Sequence, residues 1–106
     1  MNNKYHNIKE GGWDSRKEKR RGAELELLQR AGEIRELQRQ VRFTLIPAQY
    51  KDGKCIYRST VYIADFTYRQ KDGTFVVEDC KGFKTRDYII KKKLLYERFG
   101  YLVKET

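Results

Sequence analysis

The sequence predicts an α/β domain with the element order αβββαβ, in which two helices flank a mixed sheet. Capping residues indicate one helix over residues 15–30 and a second from Thr85 to Gly100. Three segments between these helices alternate apolar and polar residues, as half-buried strands do. A short apolar run at 101–103 predicts a last strand, so that a helical crossover joins the third and fourth strands.

The first helix is predicted from a capping box at its start. In Ser15-Arg16-Lys17-Glu18 the serine hydroxyl accepts a hydrogen bond from the Glu18 N–H, and the Glu18 carboxylate reaches back to the N-cap N–H. Leu25 and Leu28 lie on the same helix face as Glu18. A short turn that contains Ile34 then leads into the first strand.

The three predicted strands are joined by turns of one pattern. Lys-Asp-Gly occurs at residues 51–53 and again at 71–73, with glycine where a type I turn followed by a bulge requires a positive φ. Both joins are therefore expected to be hairpins. Each strand directs alternate side chains to one face, and these are Val41, Phe43 and Leu45, then Val61, Ile63 and Asp65, then Phe75, Val77, Asp79 and Lys81.

Length and charge limit the class of protein. The 106 residues suit one domain, which we assign to residues 15–106 after an N-terminal arm over residues 1–14. The net charge is +9, and residues 81–106 carry eight Lys and Arg against three Asp and Glu, which indicates a polyanionic partner such as DNA. No apolar run reaches the roughly 18 residues of a membrane span, and no signal peptide is evident. We therefore expect a cytoplasmic protein without a membrane partner.

Two aspartates are predicted to meet across the second hairpin. The three-residue loop at 71–73 sets a register in which Asp65 lies opposite Asp79, although a shift of one residue would pair Asp65 with Cys80. Opposed carboxylates about 5 Å apart repel by roughly 3 kcal/mol at an effective dielectric near 20. A divalent cation would turn this repulsion into binding, since Mg2+ prefers carboxylate oxygens, waters and phosphate. Lys81 emerges on the same face, where its ammonium would neutralise charge or orient a water.

The neighbouring residues have a less direct role in this interpretation. Glu78 points to the face opposite Asp79, where we expect it to pair with a basic residue or to support the site from outside. Charged residues at the end of a strand are also an ordinary structural feature, which is the alternative for the aspartate pair. With one histidine and two isolated cysteines, the chain has no zinc motif, so a metal would be held by oxygen.

These residues resemble the PD-(D/E)XK nuclease superfamily, whose restriction-endonuclease-like core has the predicted element order. More narrowly, the chain is similar to a phage-borne group of Holliday-junction-resolvase-like nucleases over residues 14–104. Ala64 stands where that family has a proline before the first aspartate. The matching residues are Asp14-Ser15 through Glu18, Ala31-Gly32-Glu33-Ile34 with Gln40, Asp65 in Tyr62-Ile63-Ala64-Asp65-Phe66, Val77-Glu78-Asp79-Cys80-Lys81-Gly82, and Thr85 through Tyr88 to Lys91 and Leu94.

The resemblance implies a catalytic set. Asp65 and Asp79 would bind Mg2+, for which Mn2+ would substitute, and Lys81 would assist the water or the transition state. Glu18 matches the helix glutamate that completes the acidic cluster, and Glu24 is the alternative for that position. The capping box explains Glu18 equally well without catalysis.

Four further residues are assigned supporting roles. Gln40 begins a strand and is either a site residue or a polar edge residue. The run Lys91-Lys92-Lys93 on the second helix would supply phosphate contacts, with a solvated helix face as the alternative.

The expected function is therefore a metal-dependent DNA endonuclease that cuts branched DNA such as Holliday junctions. A nicking or restriction-like endonuclease and a non-catalytic nucleic-acid-binding protein are the alternatives. We expect no small-molecule cofactor, and a homodimer, because paired cuts in symmetry-related strands require two sites. A phage-borne protein of this kind would act in the host cytoplasm. The face with Ile46, Tyr62, Phe66, Tyr68 and Val76 is expected to lie opposite the acidic cluster and to need a cover.

Overall fold

A computed structural model describes residues 13–81 and 83–106, with side chains from residue 16 onward. Its order of elements confirms the predicted α/β class, with one additional hairpin inserted after the first long strand. The elements are α1 (Trp13–Arg30), β1 (Ile34–Ile46), β2 (Gln49–Lys51), β3 (Lys54–Tyr57), β4 (Thr60–Gln70), β5 (Phe75–Asp79), α2 (Arg86–Phe99) and β6 (Val103–Glu105).

The main sheet has four strands in the order β1-β4-β5-β6. β1 pairs with β4 and β4 with β5 in antiparallel fashion, whereas β5 and β6 are parallel. A parallel pair needs a crossover, and α2 supplies it, as the sequence predicts. β2 and β3 form a separate two-stranded sheet. No helix within residues 13–81 and 83–106 is long and apolar enough to cross a membrane.

The two helices cover opposite faces of the four-stranded sheet. Gly22 of α1 faces Phe66, and a Cβ there would meet two ring carbons of Phe66 at 3.4 Å, which is an ordinary van der Waals contact. The resulting three layers enclose two cores. The core under α1 contains Leu25, Ile34, Phe66, Tyr68, Val76 and Cys80. The core under α2 contains Leu45, Tyr62, Ala64, Val77, Tyr88 and Leu95.

Both ends of α2 are confirmed as predicted. The Thr85 hydroxyl accepts a hydrogen bond from the Tyr88 N–H at 3.1 Å, which satisfies one of the free donors of the first turn. At the other end Gly100 adopts a left-handed conformation with φ 78°, and its N–H donates to the Tyr96 carbonyl at 2.8 Å. These local signals therefore position the helix that follows the site.

The start of α1 differs from the prediction. The helix already includes Trp13 and Asp14, so Ser15 lies inside it and is not its N-cap. The Glu18 carboxylate accepts a hydrogen bond from the Gln40 side chain of β1. The rest of the predicted arm, residues 1–12, lies outside the described residues.

The strand boundaries also need correction. The segment that contains Ile34, expected to be a turn, already belongs to β1, which bends through register shifts and through positive φ values at Glu36 and Gln40. β5 ends at Asp79, and the last strand begins at Val103 and not at 101. Long-range packing decides these limits, and short sequence windows do not contain it.

The two Lys-Asp-Gly segments form different turns. Asp52 and Gly53 both have positive φ, at 53° and 78°, which defines a two-residue hairpin loop between β2 and β3. The first segment therefore does not join two strands of the main sheet, contrary to the prediction. At the second segment Gly73 has φ 92°, and the Gln70 N–H donates to the Thr74 carbonyl at 2.9 Å, as predicted.

Candidate functional site

The register of the β4–β5 hairpin is the predicted one. Tyr68 pairs with Val76 and Phe66 with Glu78, so the next position in the same register brings Asp65 to Asp79. The Cys80 N–H donates to Asp65 Oδ2 at 2.9 Å and holds this carboxylate against the end of β5. A one-residue slip is thereby excluded.

Asp79 is fully buried and only half satisfied. Tyr62 donates its hydroxyl hydrogen to Asp79 Oδ2. Among the described residues no hydrogen-bond partner reaches Oδ1, and the Lys81 ammonium lies 3.8 Å from it. Burial raises the pKa of Asp79 to about 7, and the nearby Asp65 carboxylate acts in the same direction. A buried acceptor without a partner costs about 1–3 kcal/mol. A cation bound at Oδ1 would offset this cost.

Sequence reasoning placed Tyr62 on the wrong face of the sheet. Ala64 packs under α2 and Phe66 packs under α1, although both are buried and only two residues apart. The alternation of β4 is therefore interrupted at Asp65, and Tyr62 shares the α2 face with Asp79. The predicted apolar face is accordingly divided, with Phe66, Tyr68 and Val76 under one helix and Tyr62 under the other.

The interruption in β4 has a counterpart in β1. Gln40 lies between the β1 residues that pair with Phe66 and Ala64, and thus across from Asp65. Its φ of 52° is left-handed, a conformation that costs a non-glycine residue about 1–2 kcal/mol. This backbone sends the Gln40 amide to Glu18, where Nε2 donates to Oε2 at 2.8 Å. No local sequence signal predicts a left-handed glutamine within a strand.

Glu18 lies close enough to the aspartates to respond to them. Burial raises the pKa of Glu18, and the nearby Asp65 carboxylate raises it further. Glu24, the alternative for this role, instead accepts from Arg21 at 3.0 Å, and its side chain is 55% exposed. The structure thus favours Glu18 over Glu24 as the helix acid nearest the pair.

The arrangement suits a cation held by two carboxylates. No group of three or more His, Cys, Asp or Glu side chains within residues 13–81 and 83–106 is arranged to hold a metal. Glu18, which is predicted to complete the acidic cluster, is thus not gathered with the two aspartates into such a group among these residues. Mg2+ commonly uses one or two carboxylates and completes its shell with waters and phosphate. Asp65 and the partnerless oxygen of Asp79 fit that requirement.

Lys81 is held beside Asp79 by an aromatic ring. Its ammonium lies 4.8 Å from the ring centroid of Tyr88, a cation–π distance. The Tyr88 hydroxyl in turn donates to Glu105 of β6 at 2.7 Å. Through these contacts α2 and β6 place a positive charge next to the partnerless carboxylate oxygen.

The three consecutive lysines of α2 have different surroundings, because successive helical residues point about 100° apart. Lys91 lines a groove with a cavity volume of about 270 Å3 that also includes Lys81, Thr85 and Ile63. Lys92 donates to Glu105 at 2.9 Å. Lys93 lines a separate apolar cavity with Tyr96, Leu102 and Val103. Lys91 is thus the member of this run that joins Lys81 in one groove.

Glu78 pairs with a basic residue, as predicted. Arg21 donates to both its carboxylate oxygens, at 2.6 and 3.2 Å. Tyr68 and Thr106 also donate to it, at 2.6 and 3.1 Å. Burial acts to raise the pKa of Glu78, but these donors together lower it.

The fold and this cluster define a class: an α/β protein with a paired-carboxylate and lysine site where β5 ends beside the middle of the antiparallel strand β4. The chain belongs to the family described as Protein of unknown function (DUF1064), whose model matches residues 2–105. No curated protein matches the chain, and no solved structure matches it. The family's description assigns no activity, so an activity has to be proposed from the site.

Proposed function

We propose that this protein is a metal-dependent DNA endonuclease of the PD-(D/E)XK type that cuts branched DNA such as Holliday junctions. The observation that carries the proposal is Oδ1 of the fully buried Asp79, which has no hydrogen-bond partner within the described part of the chain and lies beside Asp65 and 3.8 Å from the Lys81 ammonium. A purely structural site gains nothing from an unsatisfied buried carboxylate, whereas a cation site requires one.

Each residue of the site has a definite role in this proposal. Mg2+ held by Asp65 and Asp79 would lower the pKa of a water and stabilise charge on the phosphate. Tyr62 holds Asp79 Oδ2 and leaves Oδ1 facing the cation site. Lys81 places its charge where the reacting phosphate gains negative charge. Gln40 fixes the Glu18 carboxylate, which acts from outside the ligand set.

The groove lined by Lys81 and Lys91 supports a phosphodiester substrate. Phosphate contacts position a nucleic acid without reading its sequence, which suits an enzyme that selects DNA by shape. Branched DNA as the substrate rests on the resemblance stated above. A homodimer acting in the cytoplasm belongs to the same proposal, since a twofold pair supplies two equivalent sites for paired cuts.

The test is an incubation of the protein with Mg2+ or Mn2+ and linear, forked and four-way DNAs. We expect metal-dependent cleavage, fastest on the four-way junction. Lys81→Ala should lower kcat by about 100-fold with little change in KM, because its charge acts in the transition state. Equal cutting of linear duplex would favour a nicking or restriction-like enzyme. Binding of every DNA without cleavage of any would favour a non-catalytic binding protein.

A second test concerns the lysines of α2. Lys91→Ala should weaken DNA binding several-fold and reduce its dependence on salt, because Lys91 lines the groove beside the site. Lys92→Ala is the matched control, since its ammonium is engaged by Glu105. Equal effects of the two variants would place the DNA elsewhere.

A further inference from the structure

We propose that α1 forms a second phosphate-binding groove, on the face of the sheet opposite Lys91, and that the nucleic-acid backbone contacts both grooves at once. This inference rests on the proposed function and extends its substrate contacts to a helix that the sequence analysis left without one. The groove has a cavity volume of about 210 Å3 and is lined by Lys17, Arg20, Arg21, Glu24, Cys80 and Thr106.

The basic residues of this groove form one stripe along α1. Lys17, Arg20 and Arg21 follow the spacing at which helical residues share a face, and the acidic Glu24 lies on that face one turn further along. Leu25 is fully buried under the same helix and marks the side that packs on the sheet. Arg16 and Lys19, which neighbour these positions in sequence, are exposed and do not line the groove. The groove is therefore a lateral face of the helix, beside the sheet.

The three cations of the groove differ in how firmly other side chains hold them. Arg21 is engaged by the fully buried Glu78 at 2.6 Å and by Glu24 at 3.0 Å, so it forms a fixed wall. Among the residues that the structure describes, neither Lys17 nor Arg20 forms an ion pair. Phosphate contacts use lysine as a point charge and arginine as a two-pronged donor, so both side chains suit a phosphate ligand.

The position of the groove links it to the carboxylates. Cys80 forms part of its wall, directly follows Asp79, and donates its N–H to Asp65. The next residue, Lys81, lines the groove on the α2 side. The end of β5 thus separates two basic grooves, with the paired aspartates between them. A polyanion that crosses this end places one phosphate at the aspartates and others against Lys17 and Arg20.

The test uses two double variants that each remove one lysine and one arginine from the same helix. Binding of a fluorescent four-way DNA junction and of a linear duplex is measured in EDTA, so that no cleavage interferes. Lys17→Ala with Arg20→Ala should weaken binding at least tenfold and reduce the slope of log K against log salt by about 2, close to 0.9 for each phosphate contact. Arg16→Ala with Lys19→Ala should change affinity by less than threefold. Circular dichroism and thermal unfolding confirm that both variants fold.

The outcomes separate this inference from the proposed function. Equal loss of affinity in the two double variants, or no loss in either, overturns the groove even if the wild-type protein cuts DNA. A selective loss in the Lys17 and Arg20 variant supports the groove, and does so even if no metal produces cleavage, in which case the nuclease proposal fails alone. A wild-type protein that binds neither DNA in EDTA overturns both.

Discussion

Glu78 and Asp79 are adjacent on β5 and both fully buried, yet they differ in their hydrogen-bond donors and in the direction of their pKa shifts. Glu78 points under α1 and receives donors from Arg21, Tyr68 and Thr106, which lower its pKa. Asp79 points under α2, receives one hydroxyl, and has a pKa raised to about 7. The first carboxylate is saturated by the protein, whereas the second keeps one oxygen unsatisfied.

On the proposed function, this difference separates a buried acid that stabilises the fold from one that would bind a cation. A buried carboxylate with all its acceptors used has no capacity left for a ligand. A buried carboxylate with a free oxygen destabilises the folded chain until a cation arrives. Burial alone therefore does not mark a candidate functional acid, whereas burial combined with an unused oxygen does.

The largest expected effect comes from Asp79→Asn, which removes the unsatisfied carboxylate. Cleavage of DNA should fall by about 1,000-fold or more, since the cation loses a charged ligand, while DNA binding in EDTA stays equal or becomes tighter. Asp72→Asn, in the exposed turn of the same hairpin, is the control for loss of one negative charge. Turnover of Asp79→Asn within tenfold of wild type would remove the proposed cation site.

The second largest effect is expected on stability. It comes from a change in Glu78, the carboxylate whose acceptors are occupied by protein donors. Glu78→Gln should lower the free energy of unfolding by about 3 kcal/mol or more, because it leaves the Arg21 guanidinium without its buried counter-ion. Urea unfolding measures this change. Combining Arg21→Met with Glu78→Leu should recover most of the loss, since apolar side chains replace the pair without a stranded charge. If Glu78→Gln left the free energy of unfolding unchanged, the contrast between Glu78 and Asp79 would have no energetic basis.

The third effect concerns pH. The contributions of the two acids to stability change with pH in opposite directions. A raised pKa means that the folded chain holds a proton on Asp79, so this group's stabilisation is complete below about pH 4 and is lost as pH rises toward 7. The lowered pKa of Glu78 gives stability that is present above its unfolded pKa and lost on acidification. In metal-free buffer at pH 8, Asp79→Asn should therefore be more stable than wild type by on the order of 2–4 kcal/mol. Mg2+ should narrow this difference by stabilising the wild type, and equal pH profiles for the two proteins would contradict the assignment.

The smallest effect compares two tyrosines, each of which donates to one of the acids. Tyr62→Phe should lower kcat about tenfold and leave KM unchanged, because Asp79 loses the donor that orients it. Tyr68→Phe should leave kcat unchanged and cost about 1 kcal/mol of stability, since Glu78 keeps its other donors. Reversal of these two results would exchange the roles of the two faces of β5.

The features that could be predicted from the sequence are those that depend on interactions between residues close together in the chain. The caps of α2 and the turn at 71–73 depend on residues within a few positions of each other, and both are confirmed. The turn also sets the register, so the meeting of Asp65 and Asp79 follows from counting residues. These features explain why the centre of the candidate site was predicted correctly in position.

The remaining features depend on contacts far apart in sequence. The role of Tyr62 follows from the interruption of β4 at Asp65, which two different helix-packed cores impose. The left-handed backbone of Gln40 is sustained by tertiary structure against its intrinsic cost. The turn of the extra β2–β3 hairpin has the same Lys-Asp-Gly sequence as the turn at 71–73 but a different backbone conformation. The three-residue sequence alone therefore does not distinguish the two turns.

The parallel pairing of β5 with β6 has a consequence for the order in which the protein folds. The β4–β5 hairpin closes a three-residue loop, whereas Val77 meets Val103 only after the whole crossover helix is in place. Local closures precede distant ones, so we expect the hairpin to form first, with Asp79 still hydrated. The Thr106 N–H donates to the Asp79 carbonyl at 3.0 Å, and its protection from hydrogen exchange would report the later step. On this order, Asp79 acquires the burial that raises its pKa only after the hairpin has formed, when the crossover helix and the C-terminal strand dock.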